Sequence, residues 1–95
     1  MNCRRWLMDN VQFSKRAWAD FSRLLLEDRK TTKRILQIIK DIKRNGYSGI
    51  GKPEPLSEDL SGYWSRRIDD KNRIVYKIDG DIIFINQCGS HYRDK

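Results

Sequence analysis

The chain has 95 residues, 38% hydrophobic and 35% charged, a composition that suits one globular domain and excludes a second core or a disordered chain. Its 20 lysines and arginines stand against 13 aspartates and glutamates, and the net charge of +7 is that of a protein that meets a polyanion, nucleic acid first. No apolar run approaches the ~20 residues of a membrane span, the start lacks the apolar core of a signal peptide, and Cys3 and Cys88 are too few and too far apart for a disulfide framework or a zinc site. A cytoplasmic chain with reduced thiols is expected.

In chain order, Val11-Gln12-Phe13 reads as a short first strand. A helical period runs from Ser14, a plausible N-cap, to Asn45. Trp18, Phe21 and Leu25 form the apolar stripe expected of a first helix. A charged break at Glu27-Asp28-Arg29-Lys30 precedes a second helix, whose stripe is Ile35, Ile38, Ile39 and Ile42 and whose outer face carries Lys33, Lys40 and Lys43. Asn45-Gly46 stops it.

The connector GYSGIGKPEPLSEDLSG is rich in Gly and Pro and longer than most loops, which marks it as a functional segment. It lacks the spacing of a phosphate-binding loop. Three strand-like runs follow, YWSRRI, NRIVYKI and DIIFINQC, the last two joined by a hairpin signal at Asp79-Gly80. The fold class is therefore α+β, with two N-terminal helices packed on one face of a small, mainly antiparallel sheet.

Alternation then distributes side chains between the faces. Ile74, Tyr76 and Ile78 should meet the helices, as should Trp64 and Ile68, leaving Tyr63, Ser65 and Arg67 with Arg73, Val75 and Lys77 on the other side. Arg67 and Arg73 thus share an exposed face, and a two-residue turn at Asp79-Gly80 sets Arg73 across from Asn86. Like charges opposed in a sheet repel, so such a pair is either solvated or used to hold an anion, for which the arginine fork is suited.

Two further groups bear on chemistry. His91, the sole histidine, follows the last strand closely, and histidine's ordinary pKa near neutrality suits a general acid. Glu54 lies between two prolines in KPEPL, which stiffen its backbone, and Lys52 stands two residues before it. A carboxylate, a histidine and paired arginines suit RNA cleavage by the RNA's own 2′-hydroxyl, with no metal ion.

The block GKPEPLSEDLSGYWSRRI, followed by NRIVYKI and by His91-Tyr92, resembles the YoeB toxins of the RelE superfamily of bacterial toxin–antitoxin systems, from about Val11 through Tyr92. The resemblance implies a RelE-like fold and a ribosome-dependent messenger RNA endonuclease acting in the decoding site without a cofactor. It implies Glu54 as general base, Arg73 as the transition-state arginine, His91 as general acid and Tyr92 as an RNA-positioning residue. Arg67 matches a phosphate-facing position, and Arg66, Lys52 and the basic helices are expected to contact ribosomal RNA. The partners implied are ribosome and messenger RNA, a YefM-like antitoxin, operator DNA through the antitoxin complex alone, and a second copy of the chain, with no membrane.

Residues 1–95 then form one endoribonuclease domain in which residues 1–7 are an N-terminal extension and Met8 an alternative start. Gly89 and Ser90 replace the basic and aromatic residues common before the His-Tyr pair, and Ser57 replaces a basic residue after KPEPL; both changes thin the charge around the site. The competing expectations are a non-catalytic RNA- or ribosome-binding module on the same fold and a DNA-binding corepressor.

Overall fold

Ser14 decides where the first helix begins. In the computed structural model, which describes residues 10–90, its hydroxyl accepts a hydrogen bond from Ala17 N (3.0 Å) and donates one to Asn86 O (2.5 Å). One side chain thus caps the helix and ties it to the sheet. Such a cap contributes about 1 kcal/mol. Helix α1 spans Lys15–Glu27 and α2 spans Arg29–Asn45. A single residue, Asp28, joins them. Its N–H donates to Leu24 O at 2.7 Å, closing α1, and its carboxylate accepts from the backbone and hydroxyl of Thr31, opening α2. Gly46, at φ 67°, ends α2 with its N–H on Ile42 O at 2.8 Å.

Among the described residues five strands form one sheet: β1 (Asn10–Phe13), β2 (Glu54–Pro55), β3 (Trp64–Arg67), β4 (Asn72–Asp79) and β5 (Ile82–Ser90), in the order β1-β5-β4-β3-β2. Only β1 is parallel to its neighbour, β5, because the helix pair supplies the crossover that a parallel pair needs. The two helices cover one face. Ile35, Ile38 and Ile42 are fully buried there against Ile74, Tyr76, Ile83 and Ile85, with Ile39, Ile68 and Cys88 completing the core.

The α+β architecture and the α2 stripe stand as expected, and three local expectations are corrected. Trp18 and Leu25 are 57% and 47% exposed, whereas Ala17 and Leu24 point inward. The Ser14 tether rotates α1 so that small Ala17 meets the sheet, its carbonyl accepting from Cys88 Sγ at 3.5 Å. Trp18 moves to the flank, edge-on to Phe13 and stacked on Phe21. The hairpin turns at Gly80-Asp81, since Asp79 already pairs with Ile82. Gly80 takes φ 66° at the first turn position, which suits a primed hairpin turn. A β-bulge then leaves Asn86 as the extra residue between the Tyr76–Ile85 and Val75–Gln87 pairs, so Arg73 lies opposite Gly89 rather than Asn86. The bulge also returns Cys88 to the helix face.

Candidate functional site

On the other face of the sheet the register sets residues in rows, buried at Ser65, Val75 and Gln87 and exposed at Glu54 and Arg67. One row runs Glu54–Ser65–Val75–Gln87, and beside it runs Arg67–Arg73–Gly89. Glu54 reaches this face because the segment expected to be a loop lies down as edge strand β2, where Glu54 pairs with Ser65 and Leu56 N donates to Tyr63 O at 2.9 Å. The chain enters that strand through two left-handed residues, Gly51 at φ 83° and Lys52 at φ 51°. A Cβ at residue 51 would come within 2.9 Å of Arg67 O, so glycine is required there. Lys52 holds a conformation uncommon for any side-chain-bearing residue and sits exposed on the turn into Pro53.

Arg73 is the hub. Its Nη1 donates to Ser65 Oγ at 3.1 Å and lies 3.8 Å from Glu54 Oε2, with a quarter of the side chain exposed. Two neighbouring strands therefore hold the guanidinium in place. Arg67 pairs directly across from Arg73 and remains exposed, as the alternation predicted. Two cations on adjacent strands with one carboxylate beside them leave a positive surface suited to phosphate. Further along the face, Lys77 Nζ lies 5.1 Å from the Tyr63 ring centroid in a cation–π contact. Gln87 is buried with its Nε2 lacking a hydrogen-bond partner.

Arg66 requires a correction. Expected to contact RNA, it is fully buried. The alternation that exposes Arg67 sends Arg66 beneath the sheet with Trp64 and Ile68. Its Nε donates to Tyr76 Oη at 3.0 Å, Nη1 to Asp41 Oδ2 (2.5 Å) and Ile50 O (3.1 Å), and Nη2 to Gly46 O (2.8 Å) and Ser48 O (2.7 Å). The Arg66 bond holds the Asp41 carboxyl below its ordinary pKa, against the opposing effect of desolvation. No donor remains for a ligand.

The alternation read from the sequence put Arg67 and Arg73 on one face, and the expected RNA contact misplaced Arg66; the structure adds Glu54 to that face through β2 and leaves Lys52 at its edge. His91 and Tyr92 lie outside the described residues, whose last member, Ser90, pairs with Asn72 beside the Arg73–Gly89 pair. Two residues were missed. Ser65 was put on the right face without a role, and Asp41 was passed over although it is the only acid in α2. Among the described residues no cluster of His, Cys, Asp and Glu has the makings of a metal site, and no helix is long and apolar enough to cross a membrane. Burial, with a smaller contribution from Asp20, raises the Cys88 thiol to about 12, which keeps it protonated and unreactive.

The family model for the YoeB-like toxin of bacterial type II toxin–antitoxin systems matches residues 13–92. Toxin RelK of Mycobacterium tuberculosis is 51% identical over 85 residues, covering 90% of this chain and 100% of that one. In a heterotetrameric YoeB–YefM toxin–antitoxin complex from Staphylococcus aureus, one chain superposes with a TM-score of 0.83 at 44% identity, over 87% of this chain and 97% of that one. The YoeB dimer from the same organism gives a TM-score of 0.82 at 44% identity over the same shares.

Proposed function

The chain belongs to the YoeB-like toxins of bacterial type II toxin–antitoxin systems, and from that premise we propose that it is a metal-independent endoribonuclease that cleaves messenger RNA in the decoding site of the ribosome. Glu54 takes the proton of a 2′-hydroxyl, and the freed oxygen attacks the adjacent phosphorus. As the O2′–P bond forms, the bond from phosphorus to the 5′-oxygen breaks. His91 protonates that leaving oxygen, so the products are a 2′,3′-cyclic phosphate and a 5′-hydroxyl. Arg73 stabilises the charge that gathers on the phosphoryl oxygens, Arg67 and Lys52 hold flanking phosphates, and Tyr92 positions the RNA.

One observation carries the reading. Glu54 and Arg73 meet at 3.8 Å at the partly exposed end of one sheet face, with Arg73 oriented by Ser65 and Arg67 directly opposite it. A base and two phosphate-binding forks converge there, and β5 delivers the chain to residue 90 one position past Arg73's partner, Gly89. The partners follow from the family: a cognate YefM-like antitoxin, of the kind complexed with the Staphylococcus toxin, operator DNA only through that complex, and self-association like that of the Staphylococcus dimer. Ribosome and message place the protein in the cytoplasm.

Primer extension on message from cells expressing the chain tests this directly. New 5′ ends within translated codons are expected, with both the ends and the growth arrest lost in Glu54→Ala and His91→Ala. Growth arrest without cleavage, retained in His91→Ala, would instead identify a non-catalytic ribosome-binding module.

A further inference from the structure

Arg66 and Asp41 lie on the covered side of the sheet, yet the segment they grip leads straight to Glu54. Three of the five Arg66 donors go to carbonyls of one short stretch, those of Gly46, Ser48 and Ile50. Asp41 holds the same stretch from the other side, accepting from Ile50 N at 3.1 Å while also accepting from Asn45 Nδ2 at 2.8 Å. Ile50 is therefore fixed through both its N–H and its C=O. The next residue, Gly51, is fixed by the backbone, Arg67 N donating to its carbonyl at 2.6 Å. Three residues later comes Glu54.

The stretch is cut to fit this grip. Gly49 takes φ 128°, and a methyl group there would overlap the Asp41 carboxylate and come within 3.2 Å of Arg66 Nη1. Tyr47 adds a second hold, stacked on Trp64 and on Tyr76 with its hydroxyl accepting from Ile78 N at 2.8 Å, and the Ser48 hydroxyl donates to Asn45 O. Ser48, Gly49 and Ile50 are themselves exposed, and Ile50 is gripped by Arg66 and Asp41. A guanidinium with five donors in a rigid plane can serve three carbonyls, a carboxylate and a phenol together, whereas an ammonium has three donors and no plane.

We infer that Arg66, paired with Asp41, is a positioning residue that clamps residues 46–51 against β3 from beneath and thereby fixes Glu54 beside Arg73 on the opposite face. The inference rests on Glu54 acting as the base. The clamp sets the rate of the chemical step and leaves ribosome binding alone, because Arg66 is fully buried with every donor occupied.

Arg66→Lys and Asp41→Asn test this by two readouts. The first is amide hydrogen exchange in the purified protein. Both variants are expected to speed exchange across residues 46–54 by about tenfold or more while the β4–β5 amides stay protected. The second is single-turnover cleavage on programmed ribosomes. The maximal rate is expected to fall about 10- to 100-fold with half-saturating ribosome concentration within about twofold of wild type. In Glu54→Gln, adding Arg66→Lys should cost nothing further, since the group it positions is already gone.

Unchanged exchange in folded Arg66→Lys overturns the clamp, as does an unchanged maximal rate. A loss confined to half-saturation overturns it in favour of direct RNA contact. Should Arg66→Lys fail to fold, Asp41→Asn, which keeps the shape and an acceptor oxygen, decides by the same criteria. Should the wild type cleave nothing, the proposed function falls, and the exchange readout still decides whether the clamp exists.

Discussion

Arg66 and Arg67 share a peptide bond, a strand and a side-chain chemistry, and the pleat of β3 separates their environments. Arg66 goes beneath the sheet, is fully buried and has a partner for every donor. Arg67 goes above it, exposed and opposed to another arginine. The difference teaches that a basic composition does not say which cations are available to a polyanion; occupancy of their donors does. A buried cation is tolerable only when paired and fully hydrogen-bonded, and once so satisfied it has no capacity for phosphate. Arg67, exposed and facing another arginine, is the reverse case.

The largest effect is expected at Glu54, the proposed base. Glu54→Gln is expected to slow cleavage by about 10²-fold or more while leaving the melting temperature nearly unchanged, because its ion pair with Arg73 is partly exposed and contributes little to stability. Single-turnover cleavage and a thermal melt on the same sample check both halves.

Next come the two arginines themselves. Asp41→Ala strands the Arg66 charge beneath the sheet and should cost roughly 3 kcal/mol of stability, the scale for breaking a buried pair. Arg67→Ala should move stability by less than about 0.5 kcal/mol yet flatten the logarithmic salt dependence of ribosome binding by about one unit. Urea denaturation and binding at several salt concentrations read these out. Equal stability losses in the two variants would erase the distinction between the faces.

Much of the scaffold is legible in the sequence. The α2 stripe, the strand runs and the glycine stops are periodic, local signals, and the alternation in β3 and β4 correctly put Arg67 and Arg73 on one face. Arg66 was legible by the same alternation, since it shares parity with Trp64 and Ile68; its charge argued against burial until five partners accounted for it. The turn at Gly80-Asp81 and the bulge at Asn86 were not legible, because a shift of a residue or two along a β-rich run leaves the hydrophobic pattern nearly as good. The rotation of α1 was set by a long-range tether from Ser14 to the backbone of β5, which no local period encodes. The strand character of Glu54-Pro55 depended on β3 lying beside it, and so hid inside a Gly- and Pro-rich stretch.

Acid separates the faces more gently. Arg66 lowers the Asp41 pKa in the folded protein, so the stability this carboxylate contributes is fully present above its unfolded pKa of about 3.9 and is lost as pH falls through the lower folded value. Asp41→Asn should therefore be less stable than wild type at pH 7, with the gap narrowing below about pH 4. A series of urea melts from neutral to acidic pH checks the sign.

The smallest effect belongs to Gln87. Its buried Nε2 has no hydrogen-bond partner, and a leucine of similar size removes that cost, so Gln87→Leu should be neutral or stabilising by about 1 kcal/mol. Urea denaturation measures it, and a large loss would mean that the amide is held by a partner after all.

The proposal turns on a carboxylate and two arginines of one sheet face driving attack by the RNA's own 2′-hydroxyl. Ribosomes programmed with a message carrying one 2′-deoxynucleotide at the mapped cleavage position, beside the all-ribose message, test it most directly. Uncut deoxy message and a 5′-hydroxyl on the product of the ribose message are the predicted results. Cleavage of the deoxy message, or a 5′-phosphate on either product, would contradict the account.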